Sequence, residues 1–315
     1  MNSQIWTEKF RPSSFEEVKG QEEIIKRIKA LVETKNIPHM LFAGSPGTGK
    51  TTLALIVAKQ LHKNNWKANF LELNASNDRG IDTVRNQVKD FAKTMAVEAD
   101  APKIILLDEA DALTKEAQQA LRRTMENYSN SCRFILSCNI PSKIIDPIKS
   151  RCAIFKFKKL EKKEIESIVR EITEKERIKI DNETIELLYN HSGGDVRQLQ
   201  NILQSCSALS KNITKNEITG FLKSIESKDI AESIKLALNK NFLDARKKIL
   251  DAMLNNGLSG LDVVKEIQRE VLNMQVDDEK KLNIIERCGE IEFRLVEGSD
   301  DFIQVEALLA FIAKK

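Results

Sequence analysis

Eight consecutive residues near the start of the chain have the types and spacing needed to bind a triphosphate. The run from Gly44 to Thr51 reads GSPGTGKT and lies between an apolar stretch and a helical pattern. A glycine-rich loop in this context directs its backbone N–H groups at phosphate oxygens. Lys50 can reach the β- and γ-phosphates, and the hydroxyl of Thr51 can bind Mg²⁺. The predicted phosphate-binding residues are Gly44, Ser45, Pro46, Gly47, Thr48, Gly49, Lys50, Thr51 and Thr52.

Two acidic residues follow a second apolar run further along the chain. In the run 103–108, four apolar residues lie between Lys103 and Asp108, and Glu109 follows. Such a run is typical of a strand that is buried on both faces of a sheet. Asp108 can hold the hydration shell of Mg²⁺, and Glu109 can polarise the water that attacks the γ-phosphate. Each acid alone could be a solvated carboxylate. Together with the phosphate loop, the pair predicts a hydrolase and not merely a binding protein.

Composition and charge restrict the class of protein. The 315 residues carry 50 basic and 47 acidic side chains, so any nucleic-acid contact requires a local basic patch. Five scattered cysteines without a C-x-x-C pair, and only three histidines, exclude a recognisable zinc site and a disulfide framework. We find no signal peptide and no apolar run near about 18 residues, which predicts an intracellular, soluble protein without a membrane span.

The chain changes character along its length. Strand-like and helical patterns alternate up to about residue 157, which predicts a parallel sheet covered by helices, and only helical patterns follow. The predicted parts are an α/β nucleotide-binding domain, a small helical domain and a second helical domain, with the boundaries 1–158, 159–224 and 225–315. The strand-like runs are 40–43, 69–73, 103–108, 132–138 and 153–157.

Further motifs occur along the chain: IWTEKFRP at 5–12, LNASNDRGI at 73–81, DEAD at 108–111, SRC at 150–152 and GDVR at 194–197. Together with the phosphate loop they resemble one family, the AAA+ clamp-loader ATPases, and within it the replication factor C small subunits of archaeal or eukaryotic type. Asn77-Asp78 replaces the acidic pair usual in the family, and Ser45 stands where proline is common. Beyond about residue 200 the resemblance rests on length and helical character alone.

The resemblance implies an architecture and an activity. The expected fold is an α/β AAA+ P-loop domain with a helix-covered parallel sheet, then a helical lid domain and an all-helical collar for oligomerisation. The expected activity is ATP hydrolysis with Mg²⁺ in a clamp loader that opens a PCNA-type sliding clamp and loads it onto primer–template DNA. The expected partners are a large subunit and other small subunits in a hetero-pentamer. The location would be cytoplasmic in an archaeon and nuclear in a eukaryote.

The resemblance also assigns roles to single residues at the phosphates. Asn139 would be the first sensor beside the γ-phosphate, although a strand-ending turn residue is the alternative. Arg197 would reach the phosphates from the lid, and a cation at a helix start gains nothing from the helix dipole. Arg151 would act in trans as an arginine finger on a neighbour's ATP, with a surface salt bridge as the alternative.

Further assignments concern the adenine base and the DNA. The resemblance places Trp6, Phe10, Arg11 and Pro12, together with the stretch from Val18 to Gln21, around the adenine. The residues alone equally suit an N-terminal arm that packs on the core through its aromatic side chains. Helical patterns at 81–95 and 114–128 carry basic residues outside their apolar stripes, and in the family these helices follow DNA phosphates. Such faces are usually just solvated. The candidate DNA contacts are Arg79, Arg85, Lys89 and Lys115.

Three rival interpretations remain at this stage. Another AAA+ DNA motor, such as a branch-migration helicase, would lack the combination of the 74–81 box and the SRC motif. A structural subunit that binds ATP without turnover would not need Lys50, Asp108, Glu109, Asn139 and Arg197 together. A large subunit would carry an extension or a clamp-binding glutamine–aromatic peptide, and neither is found near residues 311–315.

Replacing Arg85 and Lys89 together by alanine is expected to weaken DNA binding irrespective of sequence. The slope of affinity against salt should flatten by up to about two phosphate contacts. ATP binding without DNA should not change. The measurement is DNA-stimulated ATP hydrolysis over a salt series, and unaltered stimulation and salt dependence would leave the 81–95 helix as a solvated face.

Overall fold

The structure is a computed structural model that divides into two compact units, Met1–Lys215 and Asn216–Lys315. Each unit has its own apolar core. Arg79, one of the candidate DNA contacts, lies outside the described residues. The structure describes residues 5–76, 81–94, 96, 101–223, 228–256 and 258–314.

A five-stranded parallel sheet forms the centre of the first unit. The strand order is β2-β3-β4-β1-β5, so the first strand lies between the fourth and the fifth. Because all strands are parallel, their carboxyl ends meet at one edge of the sheet. The strands are β1 His39–Ala43, β2 Phe70–Asn74, β3 Lys103–Asp108, β4 Cys132–Cys138 and β5 Cys152–Lys156.

Helices cover both faces of this sheet. Along β1, Met40 and Phe42 join one apolar cluster, whereas Leu41 and Ala43 join the other. This alternation is that of a strand buried on both faces, and it confirms the predicted parallel, helix-covered sheet. The helices are α1 Trp6–Lys9, α2 Glu22–Glu33, α3 Lys50–His62, α4 Ile81–Lys93, α5 Lys115–Asn127 and α6 Asp146–Lys149, with 3-10 turns at Phe15–Glu17, Lys63–Asn69, Ala110–Ala112 and Pro141–Lys143.

The rest of the first unit is helical, with one short exception. Side-chain caps start its helices: Asp181 accepts the N–H of Thr184 at 2.7 Å, and Asp195 accepts that of Gln198 at 3.0 Å. Two-residue strands pair in parallel, which the purely helical sequence pattern did not predict. The elements are α7 Lys162–Glu176, β6 Lys179–Ile180, α8 Asn182–Ser192, α9 Val196–Leu209 and β7 Asn212–Ile213.

The second unit is helical where the structure describes it, as predicted. A capping box of Ser259 and Asp262 starts one of its helices, and Asp301 accepts the N–H of Gly260 at 2.6 Å. Of the helices in the described ranges of both units, none has the length and apolarity to cross a membrane. The helices are α10 Lys215–Lys223, which starts at the unit boundary, α11 Lys228–Leu238, α12 Phe242–Asn256, α13 Gly260–Asn273, α14 Asp278–Val296 and α15 Asp301–Lys314.

Candidate active site

The glycine-rich loop joins the carboxyl end of β1 to the first residue of α3, as the sequence predicts. Two of its glycines are required by close contacts. A Cβ on Gly44 would lie 2.5 Å from the carbonyl oxygen of Phe157, and one on Gly47 would lie 1.8 Å from Oδ1 of Asp195. Gly47 also has φ +67°, which side chains rarely adopt. The loop can therefore curl tightly at the positive end of α3, where anions bind.

Lys50 is buried, with only 7% of its surface exposed, yet its ammonium is well coordinated. Its Nζ donates hydrogen bonds to the carbonyl oxygens of Gly44 at 2.7 Å and Ser45 at 2.9 Å, and to Oδ1 of Asn139 at 2.9 Å. Burial lowers the pKa of Lys50, whereas the charge of Asp108 opposes that change. The lysine thus presents a positive charge inside the loop and brings Asn139 to the same point.

Thr51 and Asp108 meet at the edge of the sheet. Oγ1 of Thr51 donates to Oδ2 of Asp108 at 2.6 Å, and the other carboxylate oxygen accepts the N–H of Glu109 at 2.9 Å. A hydroxyl and a carboxylate are the hard oxygen donors that Mg²⁺ prefers. The described residues contain no cluster of three or more His, Cys, Asp or Glu that could hold a metal by itself. This pair fits a cation that takes its remaining ligands from phosphates and water.

Glu109 has an unusual backbone. Its φ of +53° is in the left-handed region, directly after β3. Such strain costs of order 1–3 kcal/mol and tends to occur at functional sites. Within the described part of the chain the carboxylate makes no hydrogen bond or ion pair. The arrangement leaves a carboxylate beside Asp108 that can accept a proton or orient water.

Asp111 is a site residue to which the sequence analysis gave no role. Its Oδ2 accepts the N–H of Asn139 at 3.2 Å and that of Ile140 at 2.9 Å. The carboxylate therefore fixes the backbone just after β4, and with it the amide that contacts Lys50. The only sequence signal was its place in the DEAD motif, because its partners are 28 and 29 residues away.

The start of α9 lies against the phosphate loop. The backbone N–H of Val196 donates to the carbonyl oxygen of Gly47 at 3.2 Å. Arg197 is the next residue in the chain. Burial is the main cause that lowers the pKa of Lys50, and the positive charge of Arg197 lowers this pKa further. The structure thus brings Arg197 to the site that holds Lys50, Thr51, Asp108, Glu109 and Asn139.

Arg151 lies at the opposite edge of the sheet. It precedes β5, whose first residue, Cys152, is the register partner of His39 at the start of β1. The phosphate loop begins after the other end of β1, roughly 13 Å away at about 3.3 Å per residue. The guanidinium binds the carbonyl oxygen of Pro147 at 2.8 Å and the carboxylate of Glu126 at 2.5 Å. Arg151 is therefore not part of the site formed by its own chain.

The residues expected around the adenine belong to a packed N-terminal arm. Trp6 is buried and stacks edge-on with Phe10, and its backbone N–H donates to the side chain of Gln204 at 3.0 Å. Arg11 forms an ion pair with Glu8. Pro12 is half-buried, and Val18 packs against the core. This is the alternative arrangement that the sequence left open, and the contact with the base stays a prediction.

The candidate DNA contacts are described only in part. Lys89 on α4 and Lys115 on α5 are exposed. Arg85 lies on α4, but its side chain is outside the described residues. Their role in DNA binding stays a prediction.

The fold and the site define the class of protein. A phosphate loop after β1, acidic residues at the end of β3, an asparagine after the intervening strand β4 and an arginine from a following helical segment are together typical of an AAA+ ATPase. A family model for the ATPase family associated with various cellular activities matches residues 40–160. A second model, the replication factor C C-terminal domain, matches residues 225–311.

Curated relatives give the family. The chain is 50% identical to a replication factor C small subunit of Methanococcus vannielii, over 97% of each chain. It is 47% identical to a protein of the same description from Archaeoglobus fulgidus, over 99% of this chain and 98% of that one. The chain belongs to the replication factor C small subunit family. It is an ATPase and a clamp-loader subunit, which confirms the prediction from the sequence.

Solved structures show the same fold at lower identity. The RuvB Holliday junction branch migration motor of Thermotoga maritima aligns with a TM-score of 0.58 at 19% identity, over 72% of this chain and 78% of that chain. A single-residue variant of the same motor aligns with a TM-score of 0.60 at 18% identity, over 84% of this chain and 91% of that chain. This likeness concerns the fold alone and gives no support to a branch-migration function here.

Asp111→Ala is expected to lower kcat for ATP about tenfold, the effect of about 1.4 kcal/mol in the barrier, because Asn139 loses its anchor. Nucleotide affinity should change less. Asp111→Asn is the matched control, since it keeps a neutral acceptor and should retain most of the activity. Steady-state hydrolysis in the assembled clamp loader tests this, and a wild-type kcat for Asp111→Ala would show that Asn139 needs no such support.

Proposed function

We propose that this chain hydrolyses ATP at the boundary between adjacent subunits of a clamp loader, and that hydrolysis accompanies release of a sliding clamp on DNA. One observation carries the proposal: the six residues predicted to act on the phosphates lie at one edge of the sheet, and Arg151 lies at the other. A chain of this kind can complete its neighbour's site but not its own. In a ring or spiral of such chains, every Arg151 would face the ATP site of a neighbouring subunit, except at an open end.

Each residue at the carboxyl edge has a chemical task. Lys50 would neutralise charge on the β- and γ-phosphates, and the loop N–H groups would hold the phosphates in line. Thr51 and Asp108 would hold Mg²⁺, which when bound neutralises charge on the β- and γ-oxygens. Glu109 would orient the attacking water and accept its proton, while Asn139 would fix that water's position. Arg197 would contact the phosphates from the start of α9.

Arg151 would supply the missing charge from the next subunit. An arginine finger that acts in trans is worth about 10³–10⁵ in rate in the best-studied cases. Its ion pair with Glu126 is partly exposed, with 36% and 40% of the side chains accessible. Exposed pairs contribute only about 0–1 kcal/mol, so this one is weak enough to rearrange when subunits meet.

The remaining assignments concern partners and place. The helical part at 225–315 would be the collar that joins small subunits to a large subunit in a hetero-pentamer, and 159–224 would be the lid. The clamp would be of PCNA type and the DNA a primer–template junction, contacted by Arg79, Arg85, Lys89 and Lys115. Arg11, Pro12 and Val18 would surround the adenine. Both curated relatives named above are archaeal, which supports a cytoplasmic location.

Glu109→Gln and Lys50→Ala are expected to fail at different steps. The amide cannot accept a proton, so Glu109→Gln should bind ATP but lose about 10²–10⁴ in hydrolysis rate. Lys50→Ala removes a charge from the phosphate site and should weaken binding itself. Equilibrium binding of a fluorescent ATP analogue, combined with single-turnover hydrolysis, separates the two. Full turnover by Glu109→Gln in the assembled complex would rule out its assigned role.

Arg151→Ala and Lys50→Ala are expected to restore activity to one another when mixed. Each variant alone should be inactive, but in a mixed oligomer some boundaries pair an intact Lys50 site with a neighbour's intact Arg151. A finger acting in cis would leave every site defective, so mixing would restore nothing. The measurement is ATP hydrolysis after subunit exchange, verified by native mass spectrometry. Exchange without recovered turnover contradicts the proposal.

A further inference from the structure

We propose that Gln21 is a positioning residue for hydrolysis. Its side chain holds the linker of residues 157–160, which joins β5 to α7, in the place where that linker supports both the phosphate loop and the turn before Arg197. The inference rests on the proposed role of Arg197 and adds the residue that keeps this arginine at the site.

The contact between Gln21 and the linker is made at two points. Nε2 of Gln21 donates to the carbonyl oxygen of Lys158 at 2.6 Å, and the backbone N–H of Lys158 donates to Oε1 of Gln21 at 3.2 Å. The side-chain amide thus satisfies both backbone groups of one residue, as a neighbouring strand would. A substitution that keeps the size but loses the N–H donor breaks one of the two bonds.

Gln21 has a strained backbone conformation, which indicates that the contacts of its side chain hold it in place. Its φ of 63° and ψ of 26° are left-handed, and Gly20 before it has φ +68°. Glycine or asparagine adopts this conformation more readily than glutamine. A strained residue persists where its surroundings determine its position, and such residues concentrate at functional sites.

The linker itself lies between the parts of the site. The backbone N–H of Phe157, the first residue of the linker, donates to the carbonyl oxygen of Ala43 at 2.8 Å, just before the phosphate loop. Phe157 also leaves no room for a side chain on Gly44. At the other end of the linker, a Cβ on Gly194 would lie 2.8 Å from the carbonyl oxygen of Leu160. Gly194 is three residues before Arg197. A shift of the linker would therefore displace the phosphate loop and the start of α9 together.

The experiment uses the full chain assembled with its partner subunits. Gln21→Gly removes the amide but relieves the left-handed backbone, so the thermal midpoint should be unchanged or higher. The kcat for ATP should fall about tenfold, while the Kd for ADP, which lacks the γ-phosphate, should stay within about twofold. Gln21→Glu, which keeps the acceptor but not the donor, should show the same loss of kcat. Arg177→Gly, at an exposed left-handed position after α7, is the matched control and should leave hydrolysis unchanged.

The decisive comparison is with Arg197→Ala in the same assay. If Gln21 acts through Arg197, the double variant Gln21→Gly/Arg197→Ala should be no slower than Arg197→Ala alone. Multiplied losses, or a parallel loss of ADP affinity, would overturn the inference in favour of a separate role such as contact with the base. A normal kcat for Gln21→Gly and Gln21→Glu beside a defective Arg197→Ala would overturn it as well. If Arg197→Ala itself has a normal kcat, the proposed role of Arg197 fails instead, and the inference fails with it.

Discussion

The hydrogen bonds made by the ammonium group of Lys50 are the interactions on which the rest of the site depends. This group is buried at the start of α3, after the loop that follows β1, and has three oxygen acceptors, two on the phosphate loop and one on Asn139. A buried cation without partners would be costly, so the loop and the end of β4 must stay where they can solvate it. Phosphate oxygens can take over this role, so that one side chain would both organise the loop and, as proposed, bind the nucleotide.

The parallel sheet sets the second constraint. Because all five strands run the same way, residues that follow strands meet at one edge, and residues that precede them meet at the other. Asp108, Asn139 and the phosphate loop belong to the first group, and Arg151 belongs to the second. Chemistry that needs both groups must combine two copies or two related chains. If Arg151 acts on a neighbour's ATP as proposed, the fold itself would couple assembly to hydrolysis.

The sequence predicted those parts of the site that lie in short, contiguous motifs. The phosphate loop, Asp108 and Glu109 were found because strand, turn and helix follow one another locally, and the apolar runs indicated the parallel sheet. The roles of Asp111 and Gln21 were not predictable in this way. Asp111 supports a backbone 28 residues away and Gln21 one 137 residues away, so only the folded chain brings them together. The β6–β7 pair was missed because two residues carry no strand pattern.

Trapping of a transition-state analogue tests most directly whether the site needs a neighbour. ADP with aluminium fluoride and Mg²⁺ imitates the γ-phosphoryl group in transfer, when an arginine finger matters most. If each site is completed by another subunit, the assembled wild-type complex should retain labelled ADP under these conditions. Neither the isolated chain, at a concentration where it is monomeric, nor an assembly of Arg151→Ala subunits should do so. Stoichiometric trapping by the monomeric chain would contradict the claim that each site is completed by another subunit.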